Sequence, residues 1–477
     1  MSRAGSDWST PAHLTRAGVA VAVLAVQALL LALFLVDWKV PVALVPMIVA
    51  VVVLLDRPLW AVGGMLAARL LSTGTMSFMS VGGVQIGLFE PVLLLCLGAL
   101  LLRAVFEQRA LWFDFPWKWP YLALVAWSVV GLAWCTRLSD GVKDVIGLFV
   151  VMATCLVVVV FVDRWEKITF ALWVWVATCV AIGVLAIFGD ALGLTDFSGM
   201  WKASSAGGRE TGLGQQPNWF AMNLSFVLHA AAAFALVQKR ALPRWGLLAA
   251  TAFIFLSMMS SGSRGGAYSA VIGGVIVAMG QPLFRRWFAG FAALGVGVFV
   301  VAATADLGDL GRGLNRISAN LDVLFARDIR GMNWAACIGM FLETWGRGIG
   351  PGGYADNLQR YSDWLYHSVY KYPHGIFWEQ LAHGGVVGVA LLVTLVVVIA
   401  RMAAETIRDC KGTEAEVLAW AMPASMAGYF CWSFVEFRID EKPFWEWLAL
   451  YTALHLVAKR ARAGGGPPLP PWSLKLG

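Results

Sequence analysis

The sequence predicts an all-α fold, a polytopic transmembrane helical bundle of about 12 spans with a helical cap on its outer, non-cytoplasmic face. Three observations predict it. Hydrophobic residues make up 59% of the chain and charged residues only 14%, against about 45–50% and roughly 25% in soluble domains, and mean hydropathy is +0.72. The apolar residues gather in runs close to the roughly twenty residues that a helix needs to cross about 30 Å of hydrocarbon. Lys and Arg fall mostly in alternate loops, as the positive-inside bias requires.

In order, the runs lie near 17–36, 40–55, 59–72, 84–102, 119–135, 145–162, 168–188, 217–237, 246–260, 266–280, 287–304, 375–400, 417–436 and 443–458. The first follows a polar start and reads as an uncleaved anchor. Runs 59–72 and 266–280 are short, so the number of spans lies between twelve and fourteen. With the N-terminus cytoplasmic, twenty Lys and Arg fall on the cytoplasmic side and eight in the short outer loops. Removing any adjacent pair of spans leaves that sidedness unchanged. The net charge of +7 is therefore a membrane-topology signal and gives no support to nucleic-acid binding. The seven cysteines have no CxxC spacing and lie mostly in apolar runs, which supports neither a disulfide framework nor a metal site.

Two outer segments exceed the length of ordinary connectors. Residues 189–216 form a polar loop within an N-terminal transmembrane bundle, 1–304. Residues 305–373 are the longest polar region and carry aromatic and apolar residues at helical spacing, which predicts a folded cap with two or more short helices. Transmembrane helices over 374–460 and a disordered cytoplasmic tail, 461–477, complete the division. The cap balances seven basic against seven acidic residues, so any anion site in it must be local.

Three polar clusters meet the outer membrane surface in this topology. One runs from Arg209 to Pro217-Asn218, entering a span. The second is the turn Ser263-Arg264-Gly265, where small neighbours let backbone N–H groups and a guanidinium converge on one anion. The third is His374, at the foot of the cap. Arginine suits phosphate because its planar fork makes bidentate charge-assisted bonds, and imidazole is the side chain suited to proton transfer near neutrality. Each residue also has a plain structural reading. Arg264 fits an interfacial arginine, Arg209 a solvated loop charge, Asn218 after Pro217 a helix cap, and His374 a helix-end polar group.

Other ionisable residues read as follows. Arg69 lies within a span, where a charge faces a partner or water; Glu90 is an available ion-pair partner, and snorkelling would bring Arg69 to the outer surface. His229 and His455 read as packed polar side chains, His383 as facing neighbouring helices, and His367 as a supporting residue near His374. Asp140 and Asp144 read as loop solvation. The pattern contains no HExxH motif and no Cys/His metal set, so it points to metal-free phosphate binding with one general base and no cofactor.

These residues resemble the O-antigen ligase and polymerase superfamily of bacterial inner-membrane glycosyltransferases. His374 with Phe377, Leu381, Gly385 and Gly388 is similar to its histidine motif. Gly346-Arg347-Gly348-Ile349-Gly350 is similar to its glycine-rich cap segment, Arg209 with Leu213 and Pro217-Asn218 to its arginine motif and "PN" helix start, and Ser263-Arg264-Gly265 to its "SRG" turn. The likeness covers roughly 190–400. Gly375 stands where the family often has Asn, and His383 where it often has Glu, departures that weigh less against the ligase branch than against the others.

The resemblance implies a GT-C-like membrane fold in a Gram-negative inner membrane, with both termini cytoplasmic and a periplasmic active site. It implies transfer of a glycan from an undecaprenyl-pyrophosphate-linked donor to a lipid A–core acceptor, without metal and with inversion. His374 would act as base, with Arg264 and Arg209 on the pyrophosphate; Asn218, Arg347, His367 and Arg69 would place donor or acceptor. The alternatives are a repeat-unit polymerase, an O-linked protein oligosaccharyltransferase, and, from other classes, a lipid or solute transporter or a membrane scaffold.

Overall fold

The computed structural model describes residues 57–71, 79–81, 84–86, 89–106, 115–189, 216–282, 284–286, 329–362, 367 and 372–471, with isolated positions between 289 and 297. The first two expected spans, Arg209, and most of 287–328 lie outside the described residues. The described chain is helical throughout, apart from one antiparallel hairpin, β1 (Met79–Val81) with β2 (Val84–Ile86). That hairpin is the one departure from the all-α expectation.

Each described apolar run coincides with a helix. They are α1 (Pro58–Leu71), α2 (Phe89–Phe106), α3 (Lys118–Gly131), α4 (Leu138–Phe161), α5 (Trp165–Phe188), α6 (Pro217–Val237), α7 (Ala241–Ser260) and α8 (Arg264–Gly280). After the gap come α9 (Ile329–Glu343), the single turn α10 (Tyr354–Asn357), α11 (Ile376–Cys410), α12 (Glu416–Ser433) and α13 (Lys442–Arg462). Among the described residues, five helices are long and apolar enough to cross a membrane: α4, α5, α6, α7 and α11. The chain is a membrane protein of helical-bundle type.

Helix α6 is the axis of the bundle. Its whole apolar length is buried, and it packs on α5, α7, α8 and α12. Small residues let these backbones approach, as they do where helices associate without a hydrophobic drive. Gly428 of α12 lies against Ser269 of α8, Gly280 of α8 against the Trp420 ring, and Gly183 of α5 against Ser257 of α7. His229 sits at the centre of this packing. Its Nε2 donates to Ala270 O at 2.8 Å and its Nδ1 accepts from Ser425 at 3.1 Å, so it is the packed polar residue that the sequence suggested. His455 does the same at Thr406, 3.0 Å away.

A second layer of α3, α4, α11 and α13 is filled by aromatic rings. Trp117, Tyr121 and Trp445 meet edge to face or tilted, with centroids 4.7–5.8 Å apart, and buried polar tips are satisfied: Tyr121 donates to Leu148 O at 2.8 Å and Trp117 to Thr452 at 2.9 Å. At one end of the bundle Lys239 pairs with Glu414 and Arg460 donates to Asp163 O. The C-terminal segment docks at this end. Glu414 N donates to Pro470 O at 2.9 Å, and Thr413 bridges Pro471; α13 ends at Arg462, and of the expected tail, 461–477, residues 472–477 lie outside the described residues. The opposite end collects the polar residues described next.

Candidate functional site

The turns at that opposite end interlock. Pro217 occupies the first turn of α6, where its missing N–H costs nothing. Asn218 does not act as a simple cap; its Oδ1 accepts a 2.9 Å hydrogen bond from Ser263. Ser263 is the N-cap of α8, and its Oγ also accepts from Gly266 N. The "PN" and "SRG" segments, 45 residues apart, are thus one junction. Gly265 has no room for a side chain because the indole of Trp432 occupies that space, and Gly266 lies against Ala221. Arg264, half-buried, is the first residue of α8. Its side chain makes no hydrogen bond or ion pair among the described residues. A guanidinium at a helix N-terminus, where exposed N–H groups add positive potential, is an anion-binding arrangement.

His374 lies across the end of α12 from Arg264. Trp432, near the last turn of α12, packs on Gly265, and Phe434, just beyond that turn, packs on Gly375. His374 is buried, has φ of +53° and has its ring 3.8 Å from that of Tyr372. Positive φ is uncommon in a non-glycine residue, though histidine adopts it more readily than most. Here Trp334 of α9 donates its indole N–H to His374 O at 3.2 Å. Gly375, with φ of +146°, starts α11 and leaves no space for a Cβ beside the Phe434 carbonyl. The departure at Gly375 from the family's usual Asn therefore has a local cause.

The glycine-rich segment is a clamp on α11. That helix is broken at Gly385 (φ +60°, ψ −149°), which frees backbone groups that a membrane helix cannot leave unsatisfied. Ile349 N donates to Ala382 O at 2.9 Å, Gly350 N to His383 O at 3.0 Å, and Val386 N to Gly346 O at 2.8 Å. Trp127 donates to Gly384 O at 2.8 Å. The N–H groups of Gly348 and Gly352 are also engaged, with Thr344 and Asp144. Arg347 projects from this clamp over the Trp134 ring at 5.0 Å and is exposed.

Residues 249–393 match the family model described as O-antigen ligase. The match covers under a third of the chain and supports a likeness of that segment to the O-antigen ligase-like superfamily. It spans the Ser263-Arg264-Gly265 turn, the clamp, His374 and the break at Gly385. No curated protein matches the chain. For the segment it covers, that likeness points to a membrane glycosyltransferase of ligase or polymerase type.

The candidate site has a neighbour that sequence reasoning missed, partly outside the matched segment. Arg438, between α12 and α13, donates to Asp144 of α4 at 2.7 Å and to Glu379 of α11 at 3.1 Å, with Asp440 at 3.6 Å. Glu379 also accepts from Ile439 N at 2.8 Å, and Asp144 from Gly352 N at 2.9 Å. Asp144 is therefore a tie between helices and clamp, not loop solvation. Asp440 foremost, then Glu379 and Asp144, raise the Arg438 pKa well above its ordinary value. His383 faces the cavity beside this network, together with Trp127, Gln380 and Glu379. At about 30 Å³, the cavity suits about two water molecules. In the same loop Glu436 is buried and pairs with Arg330 at 2.5 Å. Burial, reinforced by Asp440, pushes the Glu441 carboxyl up to about 7. The available signal was the alternation of charge in 436–441 between two apolar runs, which a count of loop charges passes over.

The remaining expectations separate. Glu90, the ion-pair partner that the sequence offered to Arg69, pairs with Lys442 at 3.1 Å. The N-terminus of α13 brings Lys442 directly to Glu90, while Arg69 lies 5.8 Å over the Phe89 ring, whose other close cation is Lys442 at 5.3 Å. His367 is exposed. Among the described residues, no group of three or more His, Cys, Asp or Glu is placed to hold a metal ion.

Proposed function

We propose that the protein is an O-antigen ligase, which transfers a glycan from undecaprenyl pyrophosphate to the lipid A–core oligosaccharide at the periplasmic face of a bacterial inner membrane. The observation that carries this reading is that the residues next to Arg264 and to buried His374, Gly265 and Gly375, pack against Trp432 and Phe434 at the same end of α12, inside a segment that matches the ligase family. The acceptor hydroxyl attacks the anomeric carbon as the His374 imidazole takes its proton. The anomeric C–O bond breaks, and its electron pair leaves on the pyrophosphate oxygen. Arg264 and Arg209 bind the pyrophosphate and stabilise that charge. A single displacement inverts the anomeric carbon, and no step calls on a metal. Asn218 holds the Arg264 turn through Ser263, while Arg347, His367 and Arg69 place donor or acceptor.

Purified full-length protein in lipid nanodiscs, given undecaprenyl-pyrophosphate-linked oligosaccharide and lipid A–core, should transfer glycan in the presence of EDTA. His374→Ala should abolish transfer, and Arg264→Lys should lower it by about a hundredfold, the usual cost of losing one aimed donor. Inhibition by EDTA, or near-normal transfer by His374→Ala, would refute the mechanism. Extension of a second lipid-linked glycan in place of lipid A–core would identify a polymerase.

A further inference from the structure

We infer that Trp334 and the Arg330–Glu436 pair are positioning residues that hold His374 in its working geometry. The inference rests on the reading of His374 as the base. Four observations converge on it. His374 has a left-handed backbone conformation that non-glycine residues adopt uncommonly. The bond that fixes its carbonyl comes from the Trp334 indole at 3.2 Å. Trp334 is itself held, stacked on Trp378 with centroids 5.1 Å apart and edge-on to Phe434 at 6.3 Å. One turn before Trp334 on α9, Arg330 is tied to buried Glu436 at 2.5 Å, in the loop that also carries Phe434.

The chain of contacts is therefore closed. The loop after α12 holds the start of α9 through Glu436. Helix α9 holds the His374 carbonyl through Trp334. The same loop holds Gly375 through Phe434, which fills the space where any side chain on Gly375 would lie. The turn is thus bounded by this loop directly at Gly375 and through α9 at the His374 carbonyl, and the loop borders the Trp432 contact with Gly265. A base must lie within hydrogen-bond reach of the proton it removes, and displacement by about 1 Å can cost about a hundredfold in rate. This arrangement sets the distance between base and anion site by tying both to the end of α12.

The experiment uses purified full-length protein with the lipid-linked donor and lipid A–core described above. Trp334→Phe keeps the stacking and removes the N–H. It should lower kcat by about ten- to a hundredfold, with KM for donor and the thermal transition little changed. Arg330→Glu should lower kcat similarly, and the swap Arg330→Glu with Glu436→Arg should recover most of it. Full kcat in Trp334→Phe, an effect confined to KM, or a swap no better than the single reversal would overturn the inference. Transfer that survives His374→Ala would overturn the base assignment along with it. Transfer lost in His374→Ala yet intact in Trp334→Phe would overturn the positioning role alone.

Discussion

Gly265 and Ser263 show how much of the Arg264 turn is decided by single atoms. Ser263 caps α8 and holds Asn218, so Ser263→Ala loses a cap worth about 1 kcal/mol and leaves Asn218 Oδ1 without that donor. Gly265→Ala is more damaging, because its methyl would fall inside the Trp432 indole, and overpacking of this kind costs about 1–3 kcal/mol. Thermal denaturation in detergent should rank Gly265→Ala below Ser263→Ala, and both below wild type; the reverse order would mean that Trp432 yields easily. Glu441 offers a second test at this scale. Its folded pKa of about 7 lies above the ordinary 4.5, chiefly through burial. A raised carboxyl contributes stability that is fully present below the unfolded pKa and is lost as pH rises through the folded one. The thermal transition of wild type should therefore fall between about pH 5 and about pH 8, and Glu441→Gln should flatten that fall. Equal slopes in the two proteins would remove Glu441 as the cause.

At the scale of elements, α11 stands apart because it is broken and then repaired. The break at Gly385 leaves the carbonyls of Ala382, His383 and Gly384 to be met by Ile349, Gly350 and Trp127. Gly385→Ala would place a methyl against the Gly346 carbonyl in a backbone conformation that only glycine tolerates. It should cost more than about 1–3 kcal/mol, read as a lowered thermal transition, whereas Gly246→Ala, in open space on α7, should leave stability unchanged or raised. Similar behaviour of the two would mean that the clamp is dispensable. The break also marks what the sequence could reveal. The helices themselves were legible, because apolar runs of span length have few other solutions in lipid. The order Arg264, Gly346–Gly350, His374, Gly385 was legible as a pattern, and the family match falls on it. Its meaning was not: the glycines bear on backbone satisfaction, and only the fold shows which carbonyls need partners. Arg438, Glu379 and Asp144 were missed for a related reason. They are 59 and 294 positions apart in their pairings, and a one-dimensional reading of charge cannot see a partner on another helix.

Across the whole molecule, Arg438 joins α4, α11, the clamp and the loop after α12 into one unit at the end of the bundle that carries His374 and Arg264. Its network is asymmetric. Three carboxylates face one guanidinium, so removing the cation strands several acids, while neutralising one acid leaves the cation paired. Glu379 is the most enclosed of the three, with its side chain 3% exposed, whereas Arg438 keeps 35%. A loss of about 1–3 kcal/mol for Arg438→Met, between the values for surface and fully buried pairs, follows from that partial exposure. Glu379→Gln should cost less, since Arg438 retains Asp144 and Asp440. The double variant should then be more stable than the sum of the single losses predicts, because the carboxylate most harmed by losing Arg438 is already neutral. Thermal transitions of the four proteins, wild type included, give the coupling directly. Strict additivity would mean that Arg438 stabilises the fold through its packing and not through its charge.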